Sequence, residues 1–272
     1  MPRPIVFLSD YGLDDEFVGV CHLVIARMAP EVPVIDLSHG IPPRDIVRGA
    51  IVLADAIQYS PGNAVFLAVV DPGVGSARLP VVVEAGEASL IGPDNGLLSL
   101  AWDQLGGPTR AFAIESEHLT LSPMSRTFHG RDVFALAAAH VAAGGSPESL
   151  GRTLDPAKMS RIPSPKASVK PRSVECRVIG IDRFGNVQLS ASDEDLRRAG
   201  LGSVATLAVR TPKETLSFPR AGTFADVPEG DTALIVDATG RFALIVNGGS
   251  AAGLLNVRVG DPAEVFEPEA ER

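Results

Sequence analysis

The sequence predicts an α/β chain: an N-terminal α/β layered domain with a largely parallel sheet, then a C-terminal all-β, barrel-like domain. Three observations carry this reading. Through residue 154, apolar runs alternate with stretches of helical periodicity, the pattern of strand–helix–strand units. Residues 155–172 (DPAKMSRIPSPKASVKPR) are rich in Pro, Lys and Ser, lack periodicity, and read as a linker. From 173 to 272 the apolar runs are short and separated by Gly, Pro and Asp turns, as in a small barrel or sandwich.

The elements follow in order. Residues 4–9 (PIVFLS) are a continuous apolar run, expected of a strand buried on both faces. Residues 14–29 carry Phe17, Val20, Cys21, Val24, Ile25 and Met28 at helical spacing, with Asp14, Asp15 and Glu16 placed in the first turn, where the helix dipole favours acid. Pro30 stops that helix. A second strand (32–38), a second helix (45–60, closed by Pro61-Gly62) and a third strand (63–71) come next. Residues 79–92 read as a hairpin, and 96–106 and 132–143 as further helices. In the second half the strands are 176–182, 186–191, 204–210, 214–219, 232–238, 241–247 and 263–267, with 192–200 as the one expected helix.

At 272 residues, about two domains are expected, with length enough for a sizeable core. The chain is 45% hydrophobic and 21% charged, ordinary for a globular protein, with a net charge of −9. It has no basic stripe with interleaved aromatics, which argues against nucleic acid as a partner. Cys21 and Cys176 cannot make a disulfide framework and read as core thiols. The first apolar run is too short for a signal peptide, and no run approaches a membrane span of about 18 apolar residues, so a cytoplasmic address with no membrane partner is expected.

In parallel sheets ligands bind beyond the carboxyl ends of the strands. Those ends read Ser9-Asp10-Tyr11-Gly12, Asp36-Leu37-Ser38-His39-Gly40 and Asp71-Pro72-Gly73-Val74-Gly75. Asp10 reads either as a cap for the helix near Asp14 or as a carboxylate that accepts both hydroxyls of a ribose. In VVDPGVGSAR (69–78), Asp71 and Arg78 flank a Gly-rich loop that is either a turn with an incidental ion pair or a backbone poised close to a ligand. The loop lacks GxGxxG spacing and no GK[ST] follows, so it is no phosphate fingerprint. His129, in TFHGRD (127–132), is structural or catalytic, and His39 carries the same two readings; His22, His118 and His140 read as structural or exposed. A rival reading gathers Asp10, Asp14, Asp15, His39, Asp71 and His129 into a metal site for phosphoester hydrolysis, although HxH and HxxxH spacings are lacking. In IDRFGN (181–186), Asp182, Phe184 and Asn186 surround a glycine: a β-turn, or an acid and an amide facing a ligand's amino and carboxylate groups. In residues 236–253 the Gly-rich stretch after a hairpin offers backbone for a purine edge.

SDYGLDDEFVG, VVDPGVGSAR, GPDNGLL (92–98), TFHGRD, IDRFGN and VNGGSA occur here in sequence over about residues 4–266. In that order they resemble the S-adenosylmethionine (SAM) hydroxide adenosyltransferases, the hydrolase relatives of the SAM-dependent fluorinase and chlorinase. The resemblance implies an N-terminal α/β domain, a C-terminal β-barrel domain, and a homotrimer whose sites lie between neighbouring subunits. It implies hydrolysis of SAM to adenosine and methionine by attack of water on ribose C5′, with no metal or cofactor. The family's water-holding Asp–Arg–His set falls on Asp71, Arg78 and His129. Its ribose-binding Asp falls on Asp10, its methionine-binding Asp and Asn on Asp182 and Asn186, with Phe184 packing beside the ligand and Phe128 also placed at the substrate. The adenine-binding stretch falls on Val246, Asn247 and Gly248. Two positions depart: Ala238 stands where the halogenase relatives carry a Ser, and Arg44 where they carry a Trp. The alternatives to hydrolysis are a SAM-dependent halogenase and a non-catalytic adenosine- or SAM-binding protein.

Overall fold

A computed structural model of the chain describes residues 2–116, 118 and 125–268. The chain divides into two compact units, Met1–Pro163 and Ser164–Arg272.

In the first unit, strands β1 (Ile5–Ser9), β2 (Val34–Ser38), β3 (Val65–Val69), β4 (Pro80–Ala85), β5 (Ala88–Pro93), β6 (Arg110–Ala113) and β7 (Thr153–Leu154) form one sheet in the order β2-β1-β3-β5-β4-β6-β7. The sheet is mixed. β2-β1-β3-β5 run parallel, and β5-β4-β6-β7 continue antiparallel. β1 and β3 are buried along their whole length, as their unbroken apolar runs require. Helices α1 (Phe17–Met28) and α4 (Ala135–Ala142) join Ile5 and Phe7 of β1 in one core. Alternation along the strand sends Val6 to the opposite face, toward α2 (Ile46–Ala56), which packs with α3 (Ser99–Gln104). The buried alanines of α4 carry no side chain beyond Cβ, which lets the helix lie close to the strands.

The first helix begins three residues later than its periodicity suggests, so Asp14, Asp15 and Glu16 lie outside its first turn. The cause is local. Gly12 takes a left-handed φ of 70° and donates its N–H to the His39 carbonyl at 2.8 Å, so the chain is tied to the end of β2 before it can coil. α2 starts within one residue of its expected position, capped by Asp45, which accepts from the Arg48 N–H at 2.9 Å, and ends at Ala56, followed by a 3₁₀ turn to Tyr59. β6 and β7 were not anticipated; with four and two residues they are too short to show alternation. The stretch 155–172 is not featureless. Ser160 and Ile162 donate to Asp94 and Ser99 of the first unit, and β8 (Ser168–Lys170) pairs with the second.

The second unit is an eight-stranded antiparallel sheet. β9 (Ser173–Ile181), β10 (Val187–Ser192), β11 (Thr206–Arg210), β12 (Thr215–Pro219), β13 (Thr232–Val236), β14 (Arg241–Val246) and β15 (Pro262–Phe266) run β12-β11-β15-β9-β10-β14-β13, with β8 on β9. The two ends nearly meet: the Ala221 N–H, just past β12, donates to the Leu234 carbonyl of β13 at 3.1 Å, giving a nearly closed barrel. Val178, Leu189, Leu207, Phe218 and Phe242 fill it. Helix α5 (Asp193–Arg198), expected from the sequence over 192–200, opens on a Ser192–Asp195 capping box. A second helix, α6 (Ala251–Leu255), which the sequence reading did not include, begins in the Gly-rich stretch; the Ser250 side chain caps it by accepting from Gly253.

Candidate active site

The strand order places a topological switch at β1: the chain leaves β1 to build β2 on one side and returns to build β3 on the other. Loops leaving adjacent parallel strands there diverge and open a crevice. Asp10 follows β1 and Asp71 follows β3, and the Asp10 N–H donates to the Val69 carbonyl at 3.3 Å.

Asp71, Arg78 and His129 come together. Arg78 Nε lies 3.0 Å from each oxygen of Asp71, its Nη2 also donates to Asp71, and the same Nη2 lies 2.9 Å from His129 Nδ1. The side chains of Asp71 and Arg78 are only 6% and 10% exposed, so this is no incidental surface pair. Glycines make the approach possible. Gly75 has φ 76°, and a Cβ there would stand 2.7 Å from the Arg126 carbonyl oxygen, so the loop after β3 lies directly on the segment leading to His129. Phe134 lies under the Arg78 guanidinium, 5.2 Å from it.

A guanidinium offers only donors, so His129 Nδ1 accepts and the proton of the neutral ring sits on Nε2. Burial lowers the His129 pKa and the Arg78 charge lowers it further, outweighing Asp71 and Asp132. His129 stands at the head of a π-helical turn (Gly130–Phe134) that runs into α4, a wide turn of the kind common at functional sites.

Asp10 is not a helix cap. Its Oδ2 accepts the Arg44 N–H at 2.8 Å, and α1 has no side-chain cap. Burial raises the Asp10 carboxyl above its ordinary range, the Arg44 N–H offsets part of this, and the Asp71 charge adds to it. Arg44 meets Asp10 through its backbone in the left-handed region, with φ 68°. Phe128 packs edge-on against Phe17 and Tyr11, at 5.1 and 5.8 Å between ring centres.

In the second unit Asp182, Phe184 and Asn186 form the β9–β10 turn. Asp182 accepts the N–H groups of Phe184 and Asn186, both at 2.9 Å, and the Asn186 side-chain amide at 2.7 Å. The turn reading of this motif therefore holds locally. It also leaves the Phe184 ring exposed, beside a partly exposed Asn186, on a fixed loop. Phe184, Asn186, Val246 and Gly248 line one concavity of about 700 Å³, together with Phe224 and Ser250. Asn247 is anchored: its N–H donates to the Asp231 carbonyl, its carbonyl accepts from Gly230, and its side chain donates to Val227 at 2.7 Å.

Of the rival metal set, only His39 belongs to a group of three ligand atoms close enough to share an ion among the described residues, with His22 and Asp36. Both imidazole Nε2 atoms approach one Asp36 oxygen, at 2.9 and 3.0 Å. The His22 contact is a hydrogen bond; the His39 contact is an ion-pair approach without hydrogen-bond alignment. A tetrahedral ion with bonds of about 2.0–2.1 Å holds its donors about 3.3 Å apart, wider than either distance. His39 Nδ1 is held by Ser9 Oγ at 2.8 Å.

Three supporting residues escaped the sequence reading. Asn95, inside GPDNGLL, donates to the Val70 carbonyl at 2.9 Å and so steadies the residue before Asp71. Asp132, fully buried, accepts the Ser125 N–H at 2.6 Å and fixes the segment entering TFHGRD. Tyr11 packs against Gly130. All three lay within segments the sequence had already marked; the partners of Asn95 and Tyr11 are distant in the chain, and that of Asp132 lies seven residues away.

Family models for the SAM hydroxide adenosyltransferase N-terminal domain and C-terminal domain match residues 5–151 and 176–264. The chain is 44% identical over 266 residues to an (R)-S-adenosyl-L-methionine hydrolase of Salinispora tropica, covering 97% of this chain and 98% of that protein. A fluorinase of Actinopolyspora mzabensis is more distant, at 29% identity with 95% of each chain covered. A crystal structure of a conserved protein from Thermotoga maritima superposes with a TM-score of 0.90 at 32% identity, covering 97% of this chain and all of the other. The chain therefore belongs to the SAM hydroxide adenosyltransferase family.

Proposed function

We propose that the protein hydrolyses S-adenosyl-L-methionine to adenosine and L-methionine. The observation that carries this reading is the buried Asp71–Arg78–His129 cluster at the β1/β3 switch point, on a chain whose 44%-identical relative is named a SAM hydrolase. Water attacks ribose C5′, the C5′–S bond breaks, and its electron pair goes to sulfur, leaving a neutral thioether and one proton. Charge disperses as the sulfonium leaves, so a site that excludes water favours the step. Positioning a single water in line with the C–S bond is worth up to roughly 7–11 kcal/mol.

The cluster divides the work. His129, neutral and with Nδ1 engaged by Arg78, has only its Nε2–H to offer, and donates it to a lone pair of the water. Asp71 accepts the departing proton, since it is the one anionic oxygen group in the cluster. Arg78 holds both partners in register. Asp10 takes the ribose hydroxyls, with the Phe128 ring beside the substrate. Asp182 and Asn186 receive the methionine end with Phe184 packed alongside, and backbone around Val246, Asn247 and Gly248 meets the adenine edge. Ala238, lacking a hydroxyl, leaves that recognition to the IDRFGN turn. A homotrimer, each site completed by a neighbouring subunit, and a cytoplasmic address belong to the same proposal, as does independence from metal and cofactor.

A carboxylate at the nucleophile position repels halide, the more strongly as water is excluded, which favours hydrolysis over halogenation. The test is incubation with SAM, with and without EDTA and with added chloride or fluoride, followed by chromatography. Adenosine and methionine in every arm support the proposal. A 5′-halonucleoside, loss of activity with EDTA, or binding without turnover contradicts it.

A further inference from the structure

Tyr11 stands in the sequence as the residue after Asp10, with no role assigned to it. In the fold its phenol reaches across from the end of β1 to the start of the π-helical turn. A Cβ built on Gly130 would stand 1.9 Å from Tyr11 Oη and 2.9 Å from Cζ, so the hydroxyl occupies the volume that any side chain at position 130 would fill. Gly130 has an ordinary φ, so its lack of a side chain is required by this contact and not by backbone conformation. The position is next to His129 in the chain, and the charges of Asp10, Asp71 and Arg78 all act on the phenol. The ring is fixed by Phe17 and Phe128, each 5.8 Å away between centres. Its backbone is fixed as well, the Tyr11 N–H donating to Ser9 Oγ at 3.3 Å.

Despite this confinement the hydroxyl makes no hydrogen bond to any described residue. The charged side chains that act on it are engaged elsewhere: Asp71 with Arg78, Arg78 with His129, Asp10 with the Arg44 N–H. The ring is half-buried against the core, and its hydroxyl is not one of the sealed-off polar atoms, so a water can reach it and supply the partner that a tyrosine hydroxyl ordinarily has. Burial also holds its pKa well above the usual value, so it remains a neutral phenol.

From this geometry we propose that Tyr11 is a further nucleophile-positioning residue, its hydroxyl hydrogen-bonding the attacking water, and that Gly130 exists to admit it. The inference rests on the hydrolysis reading above. It completes the four directions around the water oxygen: one hydrogen to Asp71, the second to Tyr11 Oη, one lone pair receiving His129 Nε2–H, and the other facing C5′. With both hydrogens and the spare lone pair bound, the water can turn only one lone pair toward carbon. No proton ends on Tyr11; the single proton released goes to Asp71 and then to solvent.

The test is a cycle of Tyr11→Phe, Gly130→Ala and the double variant, assayed for kcat and KM by adenosine release, with thermal unfolding as a folding control. Tyr11→Phe removes one oxygen and keeps the ring. It is expected to lower kcat about 10- to 100-fold, the range for losing one hydrogen bond at the reacting centre, with KM for SAM changed less than about twofold. Gly130→Ala displaces the phenol and is expected to fall similarly. The double variant, which removes the 1.9 Å clash and leaves a ring contact of 2.9 Å that a small ring shift relieves, is expected to remain as slow as Tyr11→Phe. Wild-type kcat in Tyr11→Phe, or recovery to wild-type kcat in the double variant, would overturn the role and reduce Tyr11 to a space-filling ring. No turnover by the wild-type protein would overturn the hydrolysis reading and this role with it; turnover with an unaffected Tyr11→Phe would overturn the role alone.

Discussion

The two groups of candidate residues, one in each unit, are built on opposite terms. In the first unit, Asp71 and Arg78 are 6% and 10% exposed, locked by several hydrogen bonds and backed by Phe134. In the second, Phe184 is 71% exposed at the tip of a two-strand turn, and Asp182 spends its oxygens on that turn's own N–H groups. The first half holds charges in a dry place, where only full pairing keeps them affordable. The second holds a shape, a hydrogen-bonded turn with an exposed apolar ring. Chemistry is assigned to the half where geometry is enforced by burial, and recognition to the half where groups are left open.

That contrast can be broken most sharply at Asp71. Asp71→Asn keeps size and loses the proton acceptor, so kcat for adenosine formation is expected to drop about 10²–10⁴-fold with KM nearly unchanged. Arg78→Met should abolish activity and also destabilise the protein by about 3–5 kcal/mol in urea titration, because it leaves Asp71 buried without its partner. Phe184→Ala should show the reverse signature. It is expected to shift unfolding free energy by no more than about 0.5 kcal/mol, since the ring is exposed, while raising KM for SAM roughly tenfold.

The pH profile sharpens the same contrast. Burial and Arg78 hold the His129 pKa below its ordinary value, so the neutral ring persists below about pH 6.5. Activity should stay level through pH 6.5 on acidification and fall only below it; a decline centred above 6.5 would contradict a neutral, Arg78-bound imidazole. The smallest effect is expected at Asp36. Burial alone would raise that carboxyl, but His39 and His22 outweigh it and hold it below the ordinary carboxylate range. Its contribution is therefore present above the unfolded-state pKa near 4 and lost as pH falls through the lower folded value. His22→Gln should cost at most about 0.5 kcal/mol at neutral pH, because both partners are substantially exposed.

Much of this was legible in the sequence. Unbroken apolar runs announced the buried β1 and β3, and turn-punctuated runs announced the second sheet, because burial on two faces and on one face leave different periodicities. Candidate residues gathered at strand ends for the reason that parallel topology puts sites there. What stayed hidden depends on contacts between residues far apart in the chain. The cap reading of Asp10, one of two its position allowed, rested on local pattern, whereas its partner Arg44 lies 34 residues away. The helix start at Phe17 was set by the Gly12–His39 bond, which no helical pattern encodes. Tyr11 opposite Gly130 is the same kind of relation: each residue is unremarked alone, and only the fold shows that one fills the space the other leaves.

The most direct test of the central claim is turnover of SAM in H₂¹⁸O, with mass spectrometry of both products. The account predicts one labelled oxygen in the 5′-hydroxyl of adenosine and none in methionine, because water attacks C5′ and sulfur keeps the bonding pair. Unlabelled adenosine, label elsewhere in the products, or no product at all would contradict it.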